Sequence, residues 1–469
     1  MEAPAKIQHP DDITKEKDSS FTPETDSEAA PTFKVEGDVS GDVFGDEESA
    51  EVKYKTMAWW QAGMVLHSLT LAVMIAENIS LGILSLPAVM AKIGLGPGLI
   101  VLLCLCVITT YSGYLYYVFK MKFPFINNVA DVGGVLWGPW GQELVGLAYN
   151  IFNIFCMASH VLTFMICFNV ITEHGTCTLV WGVIAVIVFF LVLIPRTLKN
   201  VSYLSIVSAL SILCAVIITM IALGISPKDG AHITGFMKTT FPAGMLETTN
   251  VVFAFACHNS FPALISELKD PRDFPKSLAL LQIVNTILYV IVAVVVYRYA
   301  GIDVSSPALG STGHLVRKIS YGIAIPTIII AGVIFGHLSC KSFYLRIFKG
   351  TKYLGSRGFV ATASWLGIDA AICVVSFIIA ASIPNFSNLL GFVSSLFASF
   401  FSYALGGLMW MHVYKGEWFK GGRNIASFVA SSFLILIGCA ICGLGLYASG
   451  KAMHDQSGGS SWSCADNST

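Results

Sequence analysis

Glu77-Asn78-Ile79-Ser80-Leu81-Gly82-Ile83-Leu84-Ser85-Leu86-Pro87 lies inside an apolar run, Gln61 to Met90, that is long enough to cross a bilayer. A carboxyl at the bilayer centre costs about 2.5–3.5 kcal/mol on insertion scales, so a Glu among Asn, Ser, Gly and Pro marks a helix opened for a purpose. The chemistry open to such a break is the binding of a small polar solute and the carriage of a proton. Half-helices that stop mid-membrane offer N–H groups and a partial positive charge at one end, and carbonyls at the other. The first suits a carboxylate and the second an ammonium, the two ends of a zwitterion. Asn78, Ile79, Ser80, Leu81 and Gly82 are the candidate binding segment, and Gly82 admits close approach because it has no Cβ.

A second break is expected if the chain repeats itself, and the sixth apolar run supplies it at Asn250 to Pro262. Pro262 brings no backbone donor, and Cys257, His258, Asn259 and Ser260 place polar side chains where a lipid-facing helix would have none. Phe253 and Phe255 either wall an apolar pocket or pack as ordinary aromatics; Cys257 and Asn259 are further candidate binding residues. Glu77 is the first candidate for proton coupling, since a carboxyl in a partly hydrated cavity can load a proton from one side and release it to the other. The alternative is a protonated Glu that hydrogen-bonds a neighbouring helix. His258 is read as a second proton carrier, a ligand to the solute or a packing residue. Asp369 in the ninth run is expected to pair with a nearby Lys or Ser, and His160, Asn150 and Asn153 on the third run are left without a role. One proton falling through about 100 mV contributes about 2.3 kcal/mol and each pH unit about 1.4, which together sustain roughly a 500-fold gradient of a neutral solute.

The elements that must position these residues are membrane helices. The chain has 469 residues, 55% hydrophobic and 12% charged, with a mean hydropathy of +0.71, too apolar for a soluble protein of this length. Residues 1–56 carry 15 Asp or Glu against 6 Lys, the remainder 14 acids against 22 Lys or Arg, so a tail of −9 precedes a body of +8. That tail is expected to be a disordered cytosolic segment, with Ser19, Ser20 and Ser27 open to kinases and Lys6, Lys15 and Lys17 to ubiquitination. No signal peptide is read before Met57, so the first span is expected to act as its own insertion signal. A transporter domain is expected over 57–449 and a short outer tail over 450–469.

About eleven runs are apolar on every face, which excludes the period-2 alternation of a closed barrel and predicts an all-α bundle. They are Gln61 to Met90, Pro97 to Phe119, Leu144 to Ile171, Thr178 to Ile194, Tyr203 to Ile225, Leu246 to Leu264, Ser277 to Tyr299, Ile319 to Phe343, Ala361 to Ile383, Leu389 to Val413 and Ile425 to Ser449. With the amino terminus in the cytosol, the inner loops of the body hold 15 of its 22 Lys and Arg, and an odd number of spans puts the carboxyl terminus outside. Most of the twelve cysteines fall in apolar runs as packing residues, whereas Cys177 and Cys464 both fall in outer segments and can pair. Asn467-Ser468-Thr469 is a glycosylation sequon at the last residues.

The motifs Gly82 to Pro87, Phe253 to Asn259 and Ser266-Glu267-Leu268-Lys269-Asp270-Pro271-Arg272-Asp273-Phe274-Pro275-Lys276-Ser277-Leu278 resemble those of the amino acid and auxin permease family, close to its fungal neutral amino acid permeases. The resemblance covers about Met57 to Ser449. It implies a five-plus-five inverted-repeat transporter with spans one and six unwound at the substrate, and one extra C-terminal helix. In the sodium-coupled branch the position of Glu77 resembles an Asn that helps ligate the ion, so Glu here favours protons. The expected function is import of neutral aliphatic and aromatic L-amino acids with protons across the plasma membrane. The rivals are a vacuolar exporter and a receptor that binds without transporting. Lipid bilayer, amino acids and protons are the expected partners; no nucleic acid, metal or cofactor is implied. No His-Glu-x-x-His, Gly-x-Ser-x-Gly or phosphate loop supports an enzyme, and no carbonyl-lined filter supports a channel.

Overall fold

The computed structural model describes residues 74–75, 78–196, 201–268, 270–356, 358–455 and 461–467. Glu77, the first span before Met74, the acidic tail with its candidate modification sites, and the loop cations Lys199, Lys269 and Arg357 lie outside the described residues. The described chain is all-helical. After a 3-10 turn at Leu81–Leu84 it runs through α1 (Leu86–Ile93), α2 (Leu95–Lys122), α3 (Val129–Thr172), α4 (Thr178–Leu193), α5 (Val201–Ile225), α6 (Phe241–Ala254), α7 (Phe261–Glu267), α8 (Phe274–Ala300), α9 (His314–Phe348), α10 (Phe359–Ser382), α11 (Phe386–Val393), α12 (Leu405–Val413) and α13 (Gly422–Asp455). Among the described residues, eight stretches are long and apolar enough to cross a membrane; the shorter Leu81–Ile93 and Thr178–Leu193 and the split α6–α7 pair fall on the other three runs expected.

Three boundaries differ from the hydropathy reading for physical reasons. Helix α3 starts at Val129, not near Leu144, because Asn128 and Asp131 form a capping box in which the Asp131 N–H donates to Asn128 Oδ1 at 3.0 Å and the Asn128 N–H to Asp131 Oδ2 at 3.1 Å. A kink at Gly138 (φ 72°) and Pro139 then redirects the chain into the apolar part. The passage from α11 to α12 runs through π-helical turns at Ser394–Ala398 and Phe400–Ala404, a widening that hydropathy does not register. The last helix continues past Ser449 to Asp455.

Helices α3 and α9 approach closely because small residues line the contact. A Cβ on Gly332 would meet His160 Cβ at 2.8 Å, and one on Gly336 would meet Met157 Sδ at 2.9 Å. Where α3 ends and α9 begins, Lys318 and His314 of α9 bond the Glu173 carboxylate, which is thereby held below the usual carboxylate range. A lowered carboxylate contributes stability above its unfolded value and loses it as pH falls through the folded one. Glu173 is well exposed, so this is a rim contact and no more.

The carboxyl-terminal segment is tied down. Cys177 and Cys464 form a disulfide, Thr178 Oγ1 donates to the Ala465 carbonyl at 2.7 Å, and the Trp462 N–H donates to the Ala381 carbonyl at 3.1 Å. Asn169 Nδ2 donates to Asn467 Oδ1 at 2.8 Å, and Asn467 Nδ2, the atom a glycan would need, is buried. Peptide mapping without reduction is therefore expected to recover a Cys177–Cys464 cross-link and an unmodified Asn467; a glycosidase-sensitive shift that disappears in Asn467→Gln would contradict the docked tail.

Candidate functional site

The first passage stops being a helix where the sequence places Asn, Ser and Gly together. The Ile79 N–H makes the last helical bond, to the Ile75 carbonyl at 2.9 Å; Ser80 then leaves helical geometry (φ −84°, ψ −129°) and Leu81–Leu84 tightens into a 3-10 turn. Ser85 closes that turn, its hydroxyl donating to the Gly82 carbonyl at 2.8 Å, and Pro87 in the first turn of α1 needs no donor. The sixth passage breaks in the same manner. Helix α6 ends at Ala254, the chain turns through Phe255, Ala256 and Cys257, and His258–Ser260 form a 3-10 turn before α7 resumes with Pro262 in its first turn.

The two breaks touch. A Cβ on Gly82 would lie 2.7 Å from Ala254 Cα, a backbone atom that cannot step aside, so glycine is required for this contact. Tyr289 of α8 spans the seam: its hydroxyl is 2.9 Å from the Asn78 carbonyl and 2.8 Å from the Ala254 carbonyl, the ends of the two first half-helices. A phenol has one hydrogen, so it cannot fully satisfy both acceptors at once. Acceptor capacity therefore remains at the seam for a donor from a solute. Phe255 sets the tyrosine ring, meeting it edge-on with centroids 5.3 Å apart.

Asn78, Ile79, Ser80, Leu81, Gly82, Phe255, Cys257, His258 and Asn259 are all buried at the breaks, and Phe253 is partly buried. Ile79 and Phe255 are packed into the core. His258 Nε2 donates to the Thr109 carbonyl of α2 at 2.9 Å, its Nδ1 has no protein partner, and Tyr116 and Phe261 flank the ring. Two residues left without a role on the third passage now have different fates. His160 is bonded to Ser80 at the first break, Nε2 to Oγ 3.0 Å, whereas Asn153 is buried with neither amide atom partnered. Asp369 does not meet a Lys or Ser as expected: the Cys373 thiol donates to its Oδ1 at 3.7 Å, because one helical turn along α10 brings that sulfur alongside.

Sequence reasoning missed the polar face of α8. Gln282, Asn285 and Tyr289, spaced i, i+3 and i+7, are all buried, and neither amide atom of Asn285 has a protein partner. A buried polar group left without a partner costs about 1–3 kcal/mol. The signal was available as three polar residues in one stripe of an otherwise apolar span. Glu247 was also missed. It is buried in α6 with Asn250 Nδ2 donating to its carboxyl at 3.2 Å, while Asn250 Oδ1 is unpartnered.

The family model described as transmembrane amino acid transporter protein matches residues 63–450. The chain belongs to that family. Among its relatives, the N amino acid transport system protein of Neurospora crassa is 32% identical over 463 residues, covering 94% of this chain and 95% of the relative. A transmembrane transporter of Fusarium pseudograminearum is 28% identical and covers 86% of each chain, and amino acid transporter AVT1D of Arabidopsis thaliana is 26% identical over 48% of this chain and 42% of its own. The solved structure of MhsT in complex with L-phenylalanine superposes with a TM-score of 0.53 at 14% identity, covering 83% of this chain and 99% of that one. The fold is thus the inverted-repeat transporter bundle with helices one and six interrupted, and the protein is a multi-pass membrane transporter of amino acids, not an enzyme.

Tyr289→Phe keeps the ring on Phe255 and removes the hydroxyl, leaving two buried carbonyls unanswered at about 1–3 kcal/mol. Gly82→Ala pushes a methyl into Ala254 at about 1–3 kcal/mol of overpacking. Gly82→Ala is expected to weaken amino acid affinity in exchange assays on folded protein by roughly 5- to 150-fold, and Tyr289→Phe, which frees both carbonyls for a donor from the solute, to strengthen it by up to a similar factor; parent affinity in both would remove the seam from the site.

Proposed function

We propose that this transporter imports neutral L-amino acids, aliphatic and aromatic, together with protons, by alternating access across the plasma membrane. The observation that carries the reading is the seam itself: two half-helix ends abut at Gly82 and Ala254, and from Asn78 to Pro87 and from Phe253 to Pro262 no side chain is acidic or basic except His258. Main-chain dipoles then serve the substrate's two charges, the carboxylate at the Ser80–Gly82 turn and the ammonium at the Asn78 and Ala254 carbonyls. Without a fixed side-chain charge, a substrate carrying net charge would enter the low-dielectric seam uncompensated. Phe253, Phe255, Ile79 and Cys257 give the substrate side chain an apolar surround, with Asn78 and Asn259 at its edge. The Neurospora relative's name supports an amino acid as the solute, and the superposed structure holds a neutral one, L-phenylalanine.

Protons are the coupling ion in this reading. Glu77, three positions before Ser80 in sequence, is the first carrier, and His258, with a free lone pair on Nδ1, is the second. The amino terminus is cytosolic and the carboxyl terminus external, an orientation supported by the Lys and Arg bias of the loops and by the Cys177–Cys464 disulfide, which suits an oxidising outer face.

Uptake of labelled phenylalanine, leucine and glutamine, measured against external pH and sodium, tests the reading. The parent is expected to take up all three faster as external pH falls, with no response to sodium; Glu77→Gln is expected to lose the pH response and keep exchange. A sodium requirement in the parent would overturn proton coupling, and a parent-like pH profile in Glu77→Gln would remove Glu77 from it.

A further inference from the structure

His160 is locked by its two bonds into a defined proton arrangement. Its Nδ1 lies 2.9 Å from the Cys156 carbonyl, one turn back on α3, and a carbonyl can only accept, so Nδ1 carries the hydrogen. In the neutral ring Nε2 is then a lone pair, and Ser80 Oγ, 3.0 Å away, must be the donor. The hydroxyl hydrogen of Ser80 is thereby turned toward α3 and away from the seam it borders. Both residues are almost wholly buried, His160 at 1% and Ser80 at 7% exposure, so water does not compete for these bonds.

The ring cannot retreat. Gly332 of α9 packs against its Cβ, and the Phe335 ring lies against it with centroids 5.7 Å apart. The ionisable groups on the surrounding helices are engaged elsewhere: Asp369 of α10 takes the Cys373 thiol, Cys340 of α9 donates to the Trp365 carbonyl, and His337 packs on Trp365. Helix α4 has no ionisable side chain in its sequence, and no charged side chain among the described residues acts on the His160 ring. Glu77 precedes Ser80 by three positions, outside the described residues.

We propose that His160 is a positioning residue that couples proton to substrate by reversing the Ser80–His160 hydrogen bond. When a proton occupies the Nε2 lone pair, the imidazolium has two N–H donors and no acceptor. Nδ1–H stays on Cys156, Nε2–H donates to Ser80 Oγ, and the hydroxyl hydrogen of Ser80 is released to donate into the seam. A carboxylate placed at the Ser80–Gly82 turn gains that bond and a nearby positive charge only in the protonated state. Loss of the proton from Nε2 turns the hydroxyl back and releases the carboxylate. By linkage, the bound carboxylate favours the protonated ring by the same factor that the proton favours the carboxylate. His160 thus joins Glu77 and His258 among the proton-carrying groups, and its role rests on the symport reading above.

The test is the pH dependence of phenylalanine affinity in equilibrium exchange by the purified full chain in proteoliposomes, alongside accumulation driven by an imposed pH gradient. Exchange needs no gradient, so the two readouts fail separately. The parent is expected to bind phenylalanine more tightly as pH falls, by at most about ten-fold per unit for one proton. His160→Gln, which can keep both hydrogen bonds but cannot titrate, is expected to exchange with a flattened slope; Ser80→Ala is expected to bind more weakly with a flattened slope; Ser80→Thr is expected to restore it. A parent-like slope in His160→Gln overturns the proposal, and if that variant does not fold, a parent-like slope in Ser80→Ala does so. Accumulation by the parent driven by a sodium gradient, with neither a pH gradient nor a membrane potential imposed, would overturn the symport reading, while the exchange slopes still decide the relay.

Discussion

Two helix ends meeting inside a membrane create a problem of main-chain hydrogen bonding, and the hydroxyl of Tyr289 is the group that meets it for both. The carbonyls of Asn78 and Ala254 end their half-helices where no water of bulk solvent is at hand, and each lies within 3 Å of one phenolic oxygen. The remaining features of the seam depend on that clasp. Gly82 can lie against Ala254 only because it brings no Cβ, the 3-10 turns at Leu81–Leu84 and His258–Ser260 carry the chain back into helix, and α8 brings Tyr289 to both breaks. A break stabilised by one shared donor is only partly satisfied. In the proposed function, that partial satisfaction is what a zwitterion exploits.

The scaffold around the seam is stiff in a different way. Helices α3 and α9 interlock through Gly332 and Gly336, and the carboxyl-terminal segment is fastened near the end of α3, the start of α4 and the end of α10 by the Cys177–Cys464 disulfide and the bonds of Thr178, Asn169 and Trp462. Helices built this way suit the part of an alternating-access machine that stays fixed while half-helices tilt. The Ser80–His160 bond crosses from the one kind of element to the other, which is the link the proposed relay uses.

Much of this was legible from residue types. The run around Gly82, the Cys257–Ser260 cluster and their five-span separation identified both breaks, because polar side chains gathered in a lipid-crossing segment must face a cavity or a neighbouring helix instead of lipid. Hydropathy located most helices to within a few residues but misplaced the start of α3, where Asp131, Gln142 and Glu143 dilute an apolar signal that the Asn128 cap overrides. Tyr289 and Asn285 were not found although, with Gln282, they form one polar stripe on an apolar span; the stripe shows that this face is buried, and the carbonyls that Tyr289 meets are fixed only by the fold. Asp369 was expected beside a base or a hydroxyl and instead meets a thiol, a contact decided by packing across one helical turn. His160 had no readable role because its meaning lies in a hydrogen bond to a residue 80 positions away.

The most direct measurement is the position of bound phenylalanine in an experimental structure of the full chain. The account predicts its carboxylate within hydrogen-bond distance of the main chain at Ser80–Gly82, its ammonium near the Asn78 and Ala254 carbonyls, and both passages interrupted. Phenylalanine bound away from the seam, or passages one and six running as continuous helices around it, would contradict the account at its root.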